Sequence, residues 1–240
     1  MAKRTPSTPS APKRAANRLT LGIDEAGRGP AIGPMVMAAV AIDSRTAAAL
    51  TRMGLRDSKA FGAGDEAHEV RKKLADEVRK RALFVHTIEI EHDEIDRRVC
   101  RGELNCLERE IATRLIEAAP ACDKIIADGK RMFAALSLRF TQFISVDRAE
   151  EAHASVAAAS VVAKVLRDER FKAIKNRYES EFGPITGGGY ANAATRKWVR
   201  AYVERYSRLP DEARLSWPYA FVADLLGTTR PLTSQIDLFA

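Results

Sequence analysis

An apolar run, Leu19–Ile23, ends in two adjacent carboxylates, Asp24 and Glu25, and a turn of glycine and proline, Gly27–Pro34, separates it from a second apolar run, Met35–Ile42. Short apolar runs bounded by such turns read as strands, and two of them joined this way read as a hairpin. The acids then stand at a strand end. Neighbouring carboxylates repel each other and are relieved by facing water or by binding a cation. Gly27 and Gly29 let backbone N–H groups approach a ligand, and Arg28 supplies a planar donor for phosphate. The combination points to a metal beside a phosphate. The plain alternative is a strand that ends in a polar turn.

Downstream the apolar pattern alternates between helix and strand. Residues 66–81 read as a helix before the apolar stretch Leu83–Ile90, and 103–118 read as another, with Leu104, Leu107, Ile111 and Leu115 on one face. Lys124–Ala127 and Phe140–Val146 read as short strands, and the alanine-rich run 152–181 as one long helix. Strands alternating with helices predict an α/β fold. A glycine-rich loop, 183–190, then leads to a helix over 193–205. The expected organisation is a basic, disordered arm over 1–17, an α/β core over 18–182, a small helical appendage over 183–226 and a mobile tail over 227–240.

Composition narrows the class of partner. Among 240 residues, 39 Lys and Arg against 32 Asp and Glu leave a net charge of +7, which favours a polyanion. Cys100, Cys106 and Cys122 are odd in number and lack metal or redox spacing, which argues against a disulfide framework and for a reducing, cytoplasmic setting. No apolar run is long enough to span a membrane, and the basic N-terminus lacks the apolar stretch of a signal peptide. His68, His86, His92 and His153 have no ligand spacing; only His153, near the acidic segment, merits a test.

Asp128 follows the strand 124–127 directly, and Asp147 and Glu150 follow the strand ending at Val146. Open α/β sheets bind ligands at the carboxyl ends of strands, so these acids and Asp24 are candidates to converge. Four blocks carry a resemblance. They are Asp24-Glu25-Ala26-Gly27-Arg28-Gly29-Pro30 with Gly33-Pro34, Asp57-Ser58-Lys59, Asp128-Gly129, and Val156 through Asp168 containing Ala158-Ala159-Ser160. In order and approximate spacing the chain resembles bacterial ribonuclease HII, of the type 2 ribonuclease H family, from about Leu19 to Trp217.

The resemblance implies a ribonuclease H-like mixed sheet flanked by helices and an endonuclease that cuts the RNA strand of RNA–DNA hybrids. It also implies nicking of DNA 5′ of an embedded ribonucleotide, with Mg²⁺ or Mn²⁺ in a two-metal site and 3′-hydroxyl and 5′-phosphate products. It assigns catalysis and metal binding to Asp24, Glu25 and Asp128. The fourth acid falls on Glu150 by a gapless count back from Ala158-Ala159-Ser160, where the family usually has Asp; Asp147 is the alternative, reached by a three-residue insertion. Gly27, Arg28 and Gly29 with Tyr190 would read the ribose, and Lys59, Ser160 and Lys164 would lie along the substrate. The bland readings are a Tyr190 ring packed beneath a glycine loop, and Lys164, Arg167 and Asp168 as surface contacts. The ending Gln235-Ile236-Asp237-Leu238-Phe239 resembles a peptide that binds a DNA sliding clamp, with Gln235 at a pocket rim and Leu238 and Phe239 as anchors. A monomer is expected. The alternatives are a catalytically weakened hybrid-binding protein and another metal-dependent nuclease of related fold.

Overall fold

A computed structural model describes residues 17–56, 61–62 and 64–226. Lys59, the expected arm up to residue 16 and the tail bearing Gln235, Leu238 and Phe239 lie outside the described residues.

Five strands form one sheet: β1 (Leu19–Ala26), β2 (Met35–Asp43), β3 (Phe84–Ile90), β4 (Lys124–Asp128) and β5 (Phe143–Val146), in the order β3-β2-β1-β4-β5. The glycine and proline turn after β1 brings β2 back antiparallel, and β3 pairs antiparallel with β2. β4 and β5 add parallel to β1 on the other side. A parallel neighbour needs a crossover. Between β1 and β4 the chain supplies α1 (Ser44–Arg52), α2 (Asp65–Arg81), α3 (His92–Val99) and α4 (Leu104–Ala118). The expected mixed sheet with flanking helices is the observed fold.

Alternation along the strands sorts side chains to two faces. Leu21, Ile23, Met37 and Ala39 face a cluster with Leu107, Ile111 and Leu115 of α4. Val36, Ala38 and Val40 face a second cluster with α2 and with the long helix α7 (Ala154–Phe182). β2 is therefore buried on both faces, which is why it reads as continuous apolar sequence rather than alternation. Gly22 explains how α7 lies so close: a Cβ there would stand 2.1 Å from the Ser155 carbonyl carbon. Only a residue without a side chain allows that approach.

Two helices were not legible in the sequence. α1 and α3 each bury one hydrophobic residue, Leu50 and Ile95, and a single apolar residue sets no period. What holds α1 in place at its start is a cap, Asp43 accepting from Thr46 N at 2.7 Å. The expected strand from Phe140 is shortened, because Phe140 N donates to Leu136 O and Phe143 N to Phe140 O, closing turns. The single long helix expected over about 152–181 is α7, which begins just after the extended residue His153; the short α6 (Ala149–Ala152) precedes it.

Beyond α7, a turn at Gly187–Gly189 leads to α8 (Ala193–Tyr206), capped by Asn192. Trp198 and Tyr202 of α8, with Trp217 and Tyr219 after it, share one continuous apolar cluster with Leu21 and Ile23 of the sheet. The remaining helices, α5 (Lys130–Phe133) and α9 (Ala223–Leu226), are single turns. Among the described residues no helix is long and apolar enough to cross a membrane.

Candidate active site

The sheet register sets Asp24 beside Asp128. Ile23 pairs with Ala127 in the parallel ladder, so the next residue of each strand is an aspartate, on neighbouring chains about 4.8 Å apart. Asp24 shares a face with Gly22 and looks toward α7, where the Ser160 hydroxyl hydrogen-bonds to its carboxylate. Burial, with the negative charges of Glu25 and Asp128 adding to it, pushes the Asp24 carboxyl well above the usual range. Burial also raises Glu25, with Asp128 adding and Arg28 opposing.

Glu25 points to the other face, where a charged pair sits inside the molecule. Glu108 of α4 is fully buried and accepts from Arg28 Nε at 3.1 Å to each oxygen, while Arg28 Nη2 donates to Asn105 at 2.8 Å. Desolvation raises the Glu108 carboxyl to about 7, against the pull of Arg28. The Arg28 side chain is thus turned inward to α4, where sequence reasoning gave it to a phosphate. Glu108 was missed, although it carried a signal: it lies one turn from Leu104, as a charge on the apolar stripe.

Asp128 Oδ1 accepts from Ala149 N at 3.0 Å, which ties the strand end to α6 and to Glu150, itself buried. Asp147 is exposed, and its Oδ1 accepts from Lys130 N at 2.7 Å. Both candidates for the fourth acid therefore follow β5 close to Asp128, Glu150 buried on α6 and Asp147 exposed at the start of α5. Among the described residues no three His, Cys, Asp or Glu side chains are disposed as a ready-made metal cage. The donor chemistry nonetheless fits a hard cation: acids that raise one another's pKa are relieved by it, and Mg²⁺ is commonly held by one or two carboxylates with substrate phosphates and water completing the shell.

Tyr190 is 47% exposed, and its ring lies 3.5 Å from where a Cβ on Gly29 would sit, so it covers the glycine turn rather than packing beneath it. Arg167, for which a surface contact was the bland alternative in sequence, is 1% exposed. Its Nη2 donates to Gly188 O at 2.5 Å and its guanidinium lies over the rings of Phe171 and Tyr190. Lys164 is partly buried and donates to Asp168 at 2.6 Å, with the buried Arg71 guanidinium 3.6 Å from the same carboxylate. His153 is not at the acids; it lines a cleft with Thr20, Asp43 and Lys124 at the opposite end of the strands.

The largest omission of the sequence reading is Arg214, fully buried and in no helix or strand. Its three guanidinium nitrogens donate to Gly33 O at 2.9 Å, Arg28 O at 2.8 Å and Gly27 O at 2.5 Å. Trp217 Nε1 donates to Gly29 O at 3.1 Å, and the Tyr219 hydroxyl to Ala31 O at 2.7 Å. Nothing local in the sequence marks these residues, since their partners are about 190 positions away.

Comparison with known proteins agrees with this geometry. The family model for ribonuclease HII matches residues 21–220. Ribonuclease HII of Pyrococcus furiosus is 34% identical over 205 residues, covering 82% of this chain and 87% of the relative. That of Pyrobaculum arsenaticum is 37% identical over 202 residues, covering 82% and 93%. The crystal structure of the Pyrococcus horikoshii ribonuclease H2 superposes with a TM-score of 0.72 at 24% identity, covering 87% of this chain and 97% of that one. A PCNA:RNase HII complex from Archaeoglobus fulgidus contains a chain with TM-score 0.69 and 28% identity, covering 88% and 98%. These relatives are archaeal, so the kinship expected from sequence is met at the level of the family.

Proposed function

This chain belongs to the ribonuclease HII family, and from that premise we propose that it hydrolyses the RNA strand of RNA–DNA hybrids and nicks DNA 5′ of an embedded ribonucleotide, leaving 3′-hydroxyl and 5′-phosphate ends. One observation carries the reading: Asp24, near the carboxyl end of β1, stands beside Asp128, the last residue of the parallel β4, with Glu25 next in β1 and the Gly27-Arg28-Gly29 turn just beyond the strand.

In this reading Asp24, Glu25, Asp128 and Glu150 hold Mg²⁺ or Mn²⁺, oxygen-loving ions that the donor set suits. When bound in a pair, such ions supply an activated water and a counter-charge for the leaving oxygen. The protein's own part is positioning. Ser160 fixes the Asp24 carboxylate from α7. The turn at Gly27–Gly29 presents backbone N–H groups to a 2′-hydroxyl, and Tyr190, exposed over Gly29, packs against the sugar. Lys164 and Lys59 contact phosphates, and the segment 183–226 helps hold the duplex. A sliding clamp is the proposed partner of Gln235, Leu238 and Phe239; the structure of the Archaeoglobus fulgidus relative is of a PCNA:RNase HII complex.

The test is cleavage of a labelled DNA duplex carrying one ribonucleotide, beside an all-DNA control, with and without Mg²⁺ or Mn²⁺. Metal-dependent nicking confined to the ribonucleotide substrate is the expected result. Glu150→Ala should remove most of it while Asp147→Ala retains it. Binding without nicking would favour the weakened hybrid binder instead, with the Glu150 side chain as its cause.

A further inference from the structure

The carbonyl groups of the turn after β1 point one way. Those of Gly27, Arg28 and Gly33 accept from the Arg214 fork, that of Gly29 from Trp217, and that of Ala31 from Tyr219. In a trans peptide the C=O of one residue and the N–H of the next point in opposite directions. Turning the Gly27 and Arg28 carbonyls toward Arg214 therefore turns the N–H groups of Arg28 and Gly29 away from it. The orientation of these two donors is set from behind, by side chains that come from the far end of the chain.

We propose that Arg214, assisted by Trp217 and Tyr219, is a positioning residue for ribose discrimination: it touches no substrate and aims the Arg28 and Gly29 N–H groups at the 2′-hydroxyl. This rests on the reading of the turn as the ribose reader. Arginine suits the task because its rigid fork spans three carbonyls at once, whereas a lysine ammonium is a single point of donation. Burying a guanidinium is costly, and here the cost is offset by charge-assisted bonds and by the Trp217 ring 4.9 Å from its centre. That burial holds its pKa down at about 9. Gly33 N donates to Glu212 O and Arg214 N to Ala31 O, so the backbone of the same segment is laced to the turn and leaves the fork little freedom.

The experiment measures binding of two labelled duplexes, one with a single ribonucleotide and one all DNA, by fluorescence anisotropy in Mg²⁺. Asp24→Asn protein serves as the parent, so that cleavage is blocked. The quantity read is the ratio of the two dissociation constants. Arg214→Lys should reduce the ratio about tenfold, the equivalent of roughly 1.4 kcal/mol, by weakening the ribonucleotide complex alone. Tyr219→Phe, which keeps the ring and removes one hydrogen bond, should reduce it about threefold while lowering the melting temperature by no more than about 4 °C. If affinities for both duplexes fall together, or the ratio holds in folded variants, the role is merely structural and the proposal is overturned. Should Arg214→Lys fail to fold, Tyr219→Phe and Trp217→Phe decide the matter by the same ratio. A parent that binds both duplexes equally would overturn the ribose reading itself, and this proposal with it.

Discussion

The two faces of the sheet treat adjacent carboxylates differently. Asp24 looks toward α7, where Gly22 admits the helix backbone and Ser160 is delivered to the acid by packing. Glu25 looks toward α4, where Arg28 is held between Glu108 and Asn105 by charge and hydrogen bonds. One acid is located by steric fit and the other by electrostatics. The first arrangement tolerates almost no change of volume, and the second almost no change of charge.

The comparison breaks most decisively at the acids themselves. Asp24→Asn and Glu25→Gln should each lower kcat on the order of 10³-fold, the scale of removing one preorganised electrostatic group; steady-state nicking assays check this, and a small loss at either would show that only one face serves the reaction. On the packing side, Gly22→Ala sets a methyl group into the Ser155 backbone and should cost about 3 kcal/mol or more of stability in urea unfolding. Wild-type stability in that variant would mean that α7 shifts freely.

On the charge side, Glu108→Gln sharpens the contrast through pH. A carboxyl raised from 4.5 to about 7 by folding binds its proton more tightly in the native state, so ionising it costs stability. Wild-type stability should therefore fall relative to the variant as pH rises from about 4.5 to about 7 and run parallel to it above, with a total change of at most roughly 3 kcal/mol. Urea melts at several pH values read this directly, and a flat difference would place the Glu108 carboxyl in the ordinary range. The smallest effect belongs to Asp147, which serves neither face: Asp147→Ala should cost about 1 kcal/mol through the lost bond to Lys130 N.

Much of this was legible before any fold was known. The acids at strand ends, the glycine turn and the amphipathic α4 follow from local pattern, because periodicity and turn chemistry act over a few residues. The long α7 was legible from its alanine-rich run, whereas α1 and α3 were invisible because one buried residue each gives no period. Arg167 and Lys164 looked alike in sequence, yet one is buried beneath Tyr190 and the other pairs with Asp168.

The sequence by itself determined the family, the α/β fold and the carboxylates that the proposed chemistry needs, since each rests on residue types at short spacing. Only the tertiary structure decided that Arg28 turns inward to Glu108, that Glu150 is buried on α6 while exposed Asp147 accepts from Lys130 N, and that Arg214 grips the turn from the far end of the chain. Those outcomes depend on which distant groups are brought within hydrogen-bond reach when water is excluded, and no local pattern records that.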